Sequence, residues 1–223
     1  MSETDTTRAP VVGPLATIKP GLQLPRFSPA TLVRAREPFD HPDFLFELKH
    51  DGWRAMAYIE GDECDLVSRR GNVFKAFAPL RASLATIGRE VILDGEIVCL
   101  DAAGKPQFYD LMRRRGEPVF YAFDVLWLGG EDLRSHPTIE RKAILEDLVR
   151  GHPRILYATH FEARGVDLFR LVCEQDLEGI VCKHRSAPYG SESVPWVKVL
   201  NPAYSQREGR RELFEKKLAA GAR

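Results

Sequence analysis

The sequence predicts an α+β fold, with antiparallel sheets carrying helices on their outer faces. Three observations lead there. Residues 53–60 alternate loosely, end at the turn signal Gly61-Asp62 and are followed by a second strand-like run over 63–68, which together read as a hairpin. Residues 119–128 form the continuous apolar run of a buried strand. Residues 77–87, 140–149 and 167–174 carry apolar side chains at helical spacing and fall between the strand-like segments.

The elements can be taken in order. Seven of the fifteen prolines precede Asp43, so residues 1–25 read as extended or disordered and 26–42 as an irregular lead-in. From Asp43 the pattern changes. Phe44, Leu45, Phe46 and Leu48 make an apolar strand that ends in Lys49, followed by the acidic-glycine turn Asp51-Gly52 and by Arg54. Val91-Ile92-Leu93 and Ile97-Val98-Cys99-Leu100 are β-rich and flank Asp94-Gly95-Glu96. Residues 179–183 and 196–200 read as short strands, and the polar tail beyond Pro202 as a helix over 208–219. The chain contains no internal repeat and no low-complexity tract.

Composition limits the function classes. A hydrophobic content of 44% with 29% charged residues is that of a globular protein. No apolar run has the length of a membrane span, and the opening Met-Ser-Glu-Thr lacks signal-peptide features, so a cytoplasmic protein without a membrane partner is expected. Cys64, Cys99, Cys173 and Cys182 form no Cys-x-x-Cys pair and read as reduced core residues rather than disulfides or a zinc site. Thirty-two basic and thirty-two acidic residues cancel, so a nucleic-acid partner would have to meet a local basic surface.

Lys49 is the candidate nucleophile. An amine delivered from a rigid, mostly buried strand loses solvation, which favours the neutral, nucleophilic form. Gly52 permits a turn that a side chain would block. Asp51 and Arg54 add a carboxylate and a phosphate-binding fork. Further along stand Ser68-Arg69-Arg70-Gly71, Asp94-Gly95-Glu96, Tyr121-Ala122-Phe123-Asp124, Glu178-Gly179-Ile180-Val181-Cys182-Lys183 and Trp196-Val197-Lys198. Trp196 reads as a core aromatic. His50 and His184 read as bystanders, because neighbours in extended chain point to opposite faces.

In this order the segments resemble the nucleotidyltransferase motifs of ATP-dependent DNA ligases, above all the bacterial end-joining type and its short relatives. The resemblance covers about residues 27–203 and implies an ATP-grasp-like nucleotidyltransferase (adenylation) domain over 26–203, between an extended segment (1–25) and a basic tail (204–223). It implies that Lys49 attacks the α-phosphate of ATP and carries AMP, and that Glu47 accepts from the adenine amino group. It further implies that Arg54 and Arg69 bind the ribose and phosphates or the nick 5′-phosphate. Glu96 would accept from the ribose and share a metal, and Phe123 would stack on adenine. Glu178 would face Mg2+ (or Mn2+), and Lys183 and Lys198 would contact phosphate. The partner implied is nicked duplex DNA in repair.

Two departures stand out. Relatives carry a basic residue where this chain has Leu200, an expected handicap in adenylation. About twenty residues follow Pro202, too few for the oligonucleotide-binding barrel of a full ligase core, so a repair partner supplying that clamp is expected. The alternatives are an RNA ligase or capping-type enzyme, against whose GTP form Glu47 argues, and an impaired module that binds nicks or ATP and recruits a partner.

Overall fold

The computed structural model describes residues 22–206. In chain order the elements are β1 (Leu32–Arg34), β2 (His41–Leu48), β3 (Trp53–Glu60), β4 (Glu63–Ser68), α1 (Ala78–Ala85), β5 (Val91–Cys99) and α2 (Phe108–Met112). There follow β6 (Pro118–Leu128), β7 (Glu131–Asp132), α3 (Thr138–Val149), β8 (Ile155–Tyr157), β9 (His160–Ala163), α4 (Gly165–Glu174), β10 (Gly179–His184) and β11 (Trp196–Leu200). One sheet runs β1-β11-β10-β2-β9, and the other runs β4-β3-β5-β6-β7 with β8 beside β6. All pairings are antiparallel except β1 with β11 and β6 with β8. Among the described residues no helix is long and apolar enough to cross a membrane.

Period-2 alternation gives each sheet two faces. In the first sheet Phe46, Ile180, Cys182 and Val199 point outward and are covered by Leu168 and Val172 of α4. In the second, Ala55, Ala57, Ile59, Leu93 and Ile97 form the largest core with Leu80 and Leu84 of α1 and Leu145 and Val149 of α3. The remaining faces meet across a cleft: Lys183 on β10 donates to the Phe123 carbonyl on β6 at 2.9 Å, and the Phe123 and Trp196 rings lie 5.8 Å apart.

Several expectations need correction. Residues 91–99 are one strand, so Asp94-Gly95-Glu96 lies within it rather than between two strands. The strand is irregular there, with register shifts between Ile92 and Leu93 and between Asp94 and Gly95. Gly95 fits because a Cβ would lie 2.4 Å from Phe120 Cζ and 2.5 Å from the Tyr121 carbonyl oxygen. The lead-in is less irregular than its prolines suggest. It contains β1 and the start of β2. Within the segment expected to be extended or disordered, Leu24 packs with Met56, Tyr58 and Leu126. Cys64, Cys99 and Cys182 are buried, but Cys173 is exposed on α4 and is not a core residue. The tail helix expected over 208–219 lies outside the described residues.

Buried charges tie the layers together. Arg141 of α3 grips Asp124 of β6 through Nε at 2.8 Å and Nη2 at 2.9 Å, both side chains being fully buried. The same guanidinium also donates to the carbonyls of His136 and Ala187. Removing one member of such a pair strands the other charge in a poor solvent. Asp124→Asn, which keeps the shape, should therefore cost about 3–5 kcal/mol in denaturant unfolding; a loss below about 1 kcal/mol would show that the pair is dispensable.

Candidate functional site

Strand alternation presents Lys49. Phe44, Phe46 and Leu48 of β2 pack into the outer core, leaving Glu47 and Lys49 to face the cleft. Lys49 is the first residue past β2, and its amide donates to the Gly179 carbonyl at 2.9 Å. The antiparallel register pairs Leu48 with Ile180, which brings Glu178 alongside. Lys49 Nζ meets Glu178 Oε2 at 2.8 Å, with the lysine side chain 20% exposed.

The turn after Lys49 is held from two sides. Asp51 is buried and accepts from the Tyr204 hydroxyl at 3.0 Å, so it anchors the chain beyond β11. At Gly52 a Cβ would lie 2.2 Å from the Ile97 carbonyl oxygen. The glycine is needed for this close approach to β5; its φ is not positive.

Lys198 completes a cationic rim. It pairs in register with Val181 on one side and Arg34 on the other. Burial lowers its pKa, the charges of Lys49, Arg34 and Arg69 push the same way, and Glu178 opposes them. Lys49, Glu178, Lys198 and Arg69 are thus brought together from two sheets. Arg34 belongs with them and had no signal in the sequence, because its place follows only from the parallel pairing of β1 with β11. Leu200 shares the Lys198 face by alternation, and it is half-buried.

Beneath this rim lies a buried triad. Glu47, 2% exposed, meets Lys142 Nζ at 2.9 Å through Oε1 and Lys183 Nζ at 2.8 Å through Oε2. Burial alone would raise the Glu47 pKa; the two ammonium groups outweigh it and hold it below the usual range. Lys183 is 1% exposed and sits 4.1 Å from the Trp196 ring centroid. The expectation of a phosphate contact is corrected: its ammonium is committed to Glu47, the Phe123 carbonyl and an aromatic face. Lys142 was not foreseen. It is fully buried, donates to the Ala158 carbonyl, and burial pushes its pKa down to about 8. A signal existed: Arg141 and Lys142 occupy the stripe that Thr138, Leu145 and Val149 define on α3, where apolar side chains belong.

The other inner-face residues are more occupied than their types suggest. Arg54 donates to Asp94 through Nε at 3.1 Å and Nη2 at 2.6 Å, and through Nη1 to the Ala30 carbonyl at 2.7 Å. Burial opposes its charge, but Asp94 outweighs burial and raises its pKa. Asp94 also accepts from the Tyr189 hydroxyl at 2.6 Å. The guanidinium is therefore a clasp between elements before it is a fork for a ligand. Glu96 lies opposite Arg54 in register, on the Asp94 face of β5. Phe123 is half-buried and edge-on to Trp196, with Arg54 5.4 Å and Lys183 4.9 Å from its centroid. Trp196, 4% exposed, is a core aromatic, as expected. His50 is more than a bystander: its ring stacks on Tyr121 at 3.8 Å, and burial lowers its pKa to about 4. His184 packs edge-on against Phe44, away from the cleft.

An amine on a fixed backbone, a carboxylate at hydrogen-bond distance and a rim of cations can bind a polyanion and attack it. Known proteins are similar to this chain. Residues 30–199 match the ATP dependent DNA ligase domain family. The SPbeta prophage-derived DNA ligase-like protein LigB of Bacillus subtilis is 31% identical over 187 residues, covering 80% of this chain and 69% of that protein. The multifunctional non-homologous end joining protein LigD of Pseudomonas aeruginosa is 35% identical over 167 residues, but the chain spans only 20% of its length. A solved structure of mycobacterial DNA ligase D complexed with ATP and MES is similar with a TM-score of 0.68 at 28% identity, covering 78% of this chain and 60% of that one. With a match over most of its length and the ligase arrangement of two facing sheets, this chain belongs to the ATP-dependent DNA ligase family, as its nucleotidyltransferase domain.

Proposed function

We propose that this protein seals nicks in duplex DNA through AMP carried on Lys49, as part of cytoplasmic DNA repair. The observation that carries the reading is Lys49 Nζ at 2.8 Å from Glu178, beside Lys198 and in the field of Arg34 and Arg69. Cations so placed suit a triphosphate and the charge that develops on it in the transition state.

Lys49 gives up a proton, for which Glu178 Oε2 is an acceptor within reach. Its nitrogen then bonds to the α-phosphorus of ATP as the bridging α–β P–O bond breaks and pyrophosphate leaves. A 5′-phosphate oxygen of the nick next takes the AMP from nitrogen. Finally the adjacent 3′-hydroxyl attacks the activated 5′-phosphate, expelling AMP and leaving a phosphodiester. Lys198 and Arg69 hold phosphate oxygens in line.

Adenine selection is assigned to Glu47. A carboxylate offers about four lone-pair sites, and two ammonium groups leave room for an amino donor. Phe123, fixed by Trp196, lies where a base could lean on its ring. Arg54 spends three of its N–H donors inside the protein and keeps the rest for ribose or phosphate. Among the described residues no group of three or more His, Cys, Asp or Glu could hold a metal ion. Magnesium binds through one or two carboxylates plus substrate phosphates; Glu178 and Glu96 would supply the carboxylates. A bound ion would offset charge on the phosphate oxygens.

The direct test is single-turnover sealing of a nicked duplex with ATP and magnesium. Lys49→Arg keeps the charge but removes the usable amine, and should slow sealing by about a thousandfold or more. Sealing at the wild-type rate would overturn the assignment.

Leu200 supplies a second test. Its half-exposed place on the Lys198 face lets a longer cationic side chain reach the cleft without entering the core. Leu200→Lys should speed self-adenylation by about threefold to tenfold, read by intact mass against time. A slower variant with an unchanged melting temperature would contradict the handicap.

A further inference from the structure

Arg113, Arg114 and Arg115 are consecutive, exposed, and outside every site described above. None of their guanidiniums has a partner among the described residues. Arg134, Arg150, Arg154, Arg164 and Arg170 are each paired with a carboxylate; Arg36, Arg70 and Arg89 are exposed without such a pair but stand singly or beside one other arginine, whereas here three follow one another. The nearby Glu117 does not neutralise them, because it pairs with Arg154.

The loop is built rather than loose. Arg114 takes a positive φ of 55°, and Gly116 one of 75°. A side chain resists that conformation, and hydrogen bonds hold it: the Arg115 amide donates to the Asp110 carbonyl at 2.8 Å, and Cys99 Sγ to the Arg115 carbonyl at 3.4 Å. Cys99 places the loop. It pairs with Pro118 at the end of β5 that packs on Gly52 through Ile97, three residues past Lys49. Tyr121, at the same end of β6, stacks on His50. The triplet therefore stands at the end of the second sheet where Gly52 and His50, just past Lys49, make contact.

We propose that Arg113, Arg114 and Arg115 form a DNA-binding surface separate from the nucleotide site, gripping backbone phosphates of the duplex beside the nick. This rests on the nick-sealing reading and assigns the residues that supply affinity for its substrate. A chain of zero net charge has no long-range pull on DNA, so attraction must come from a local cluster. Unpaired guanidiniums are suited to it: they fork onto phosphate oxygens and release counterions. Contacts of this kind position a duplex without reading its sequence.

The test compares wild type with the triple variant Arg113→Gln, Arg114→Asn, Arg115→Gln, asparagine being chosen because it tolerates the positive φ. Fluorescence anisotropy with nicked duplex DNA is read across a salt series. The slope of log affinity against log salt should fall by about 2–3, since each phosphate contact contributes about 0.9. Affinity near 0.1 M salt should weaken about tenfold or more. Intact duplex should weaken by the same factor, while self-adenylation, which needs no DNA, stays at the wild-type rate. Arg113→Glu, which leaves the strained position alone, should weaken binding more than Arg113→Gln. An unchanged slope and affinity in both variants would overturn the surface alone. So would a loss confined to duplex RNA. A wild type that binds no nicked DNA at any salt would overturn the nick-sealing reading and this surface with it.

Discussion

A buried carboxylate held between two ammonium groups fixes the rest of the site. Glu47 joins β2 to α3 through Lys142 and to β10 through Lys183, and Lys183 reaches on to the β6 backbone. One side chain thus links both sheets and a helix at the floor of the cleft. Such clusters cost desolvation and add little net stability over an apolar core. What they enforce is geometry, because any rearrangement leaves a charge without a partner. Leu48 is fixed in the outer core and Glu47 in the triad, so the backbone has little freedom where Lys49 emerges.

The same device recurs around the cleft with different partners. Arg54 clasps Asp94 and the Ala30 carbonyl, and Arg141 clasps Asp124 and the Ala187 carbonyl. Charges under the floor are therefore satisfied within the protein. At the rim, Lys198 is repelled by Lys49, Arg34 and Arg69 and attracted by Glu178. An arriving polyphosphate relieves that repulsion. In the proposed reading chemistry and substrate affinity are separated in space: the rim cations would act on the transferring phosphate, and the Arg113–Arg115 loop on the duplex.

Much of this was legible in the sequence, for local reasons. The hairpin over 53–68 announces itself by alternation and a turn, and the strand over 196–200 by its composition. The order of charged motifs pointed to the cleft and to Lys49. What stayed hidden depends on partners distant in sequence. β1, β8 and β9 are too short to show a period and exist through pairing with β11, β6 and β2. Arg34 joins the rim only through register. Lys183 was read as a phosphate contact because a sequence reveals a charge but not the carboxylate that claims it. Gly52 was recognised as special, but its reason, the Ile97 carbonyl, lies on another strand.

The most direct measurement is tandem mass spectrometry of the ATP-treated protein, digested under conditions that spare a phosphoramidate, before and after added pyrophosphate. The account predicts AMP on Lys49 and on no other lysine, removed by pyrophosphate with regeneration of ATP. AMP on Lys183 or Lys198, or ATP consumed with no adduct at Lys49, would contradict it.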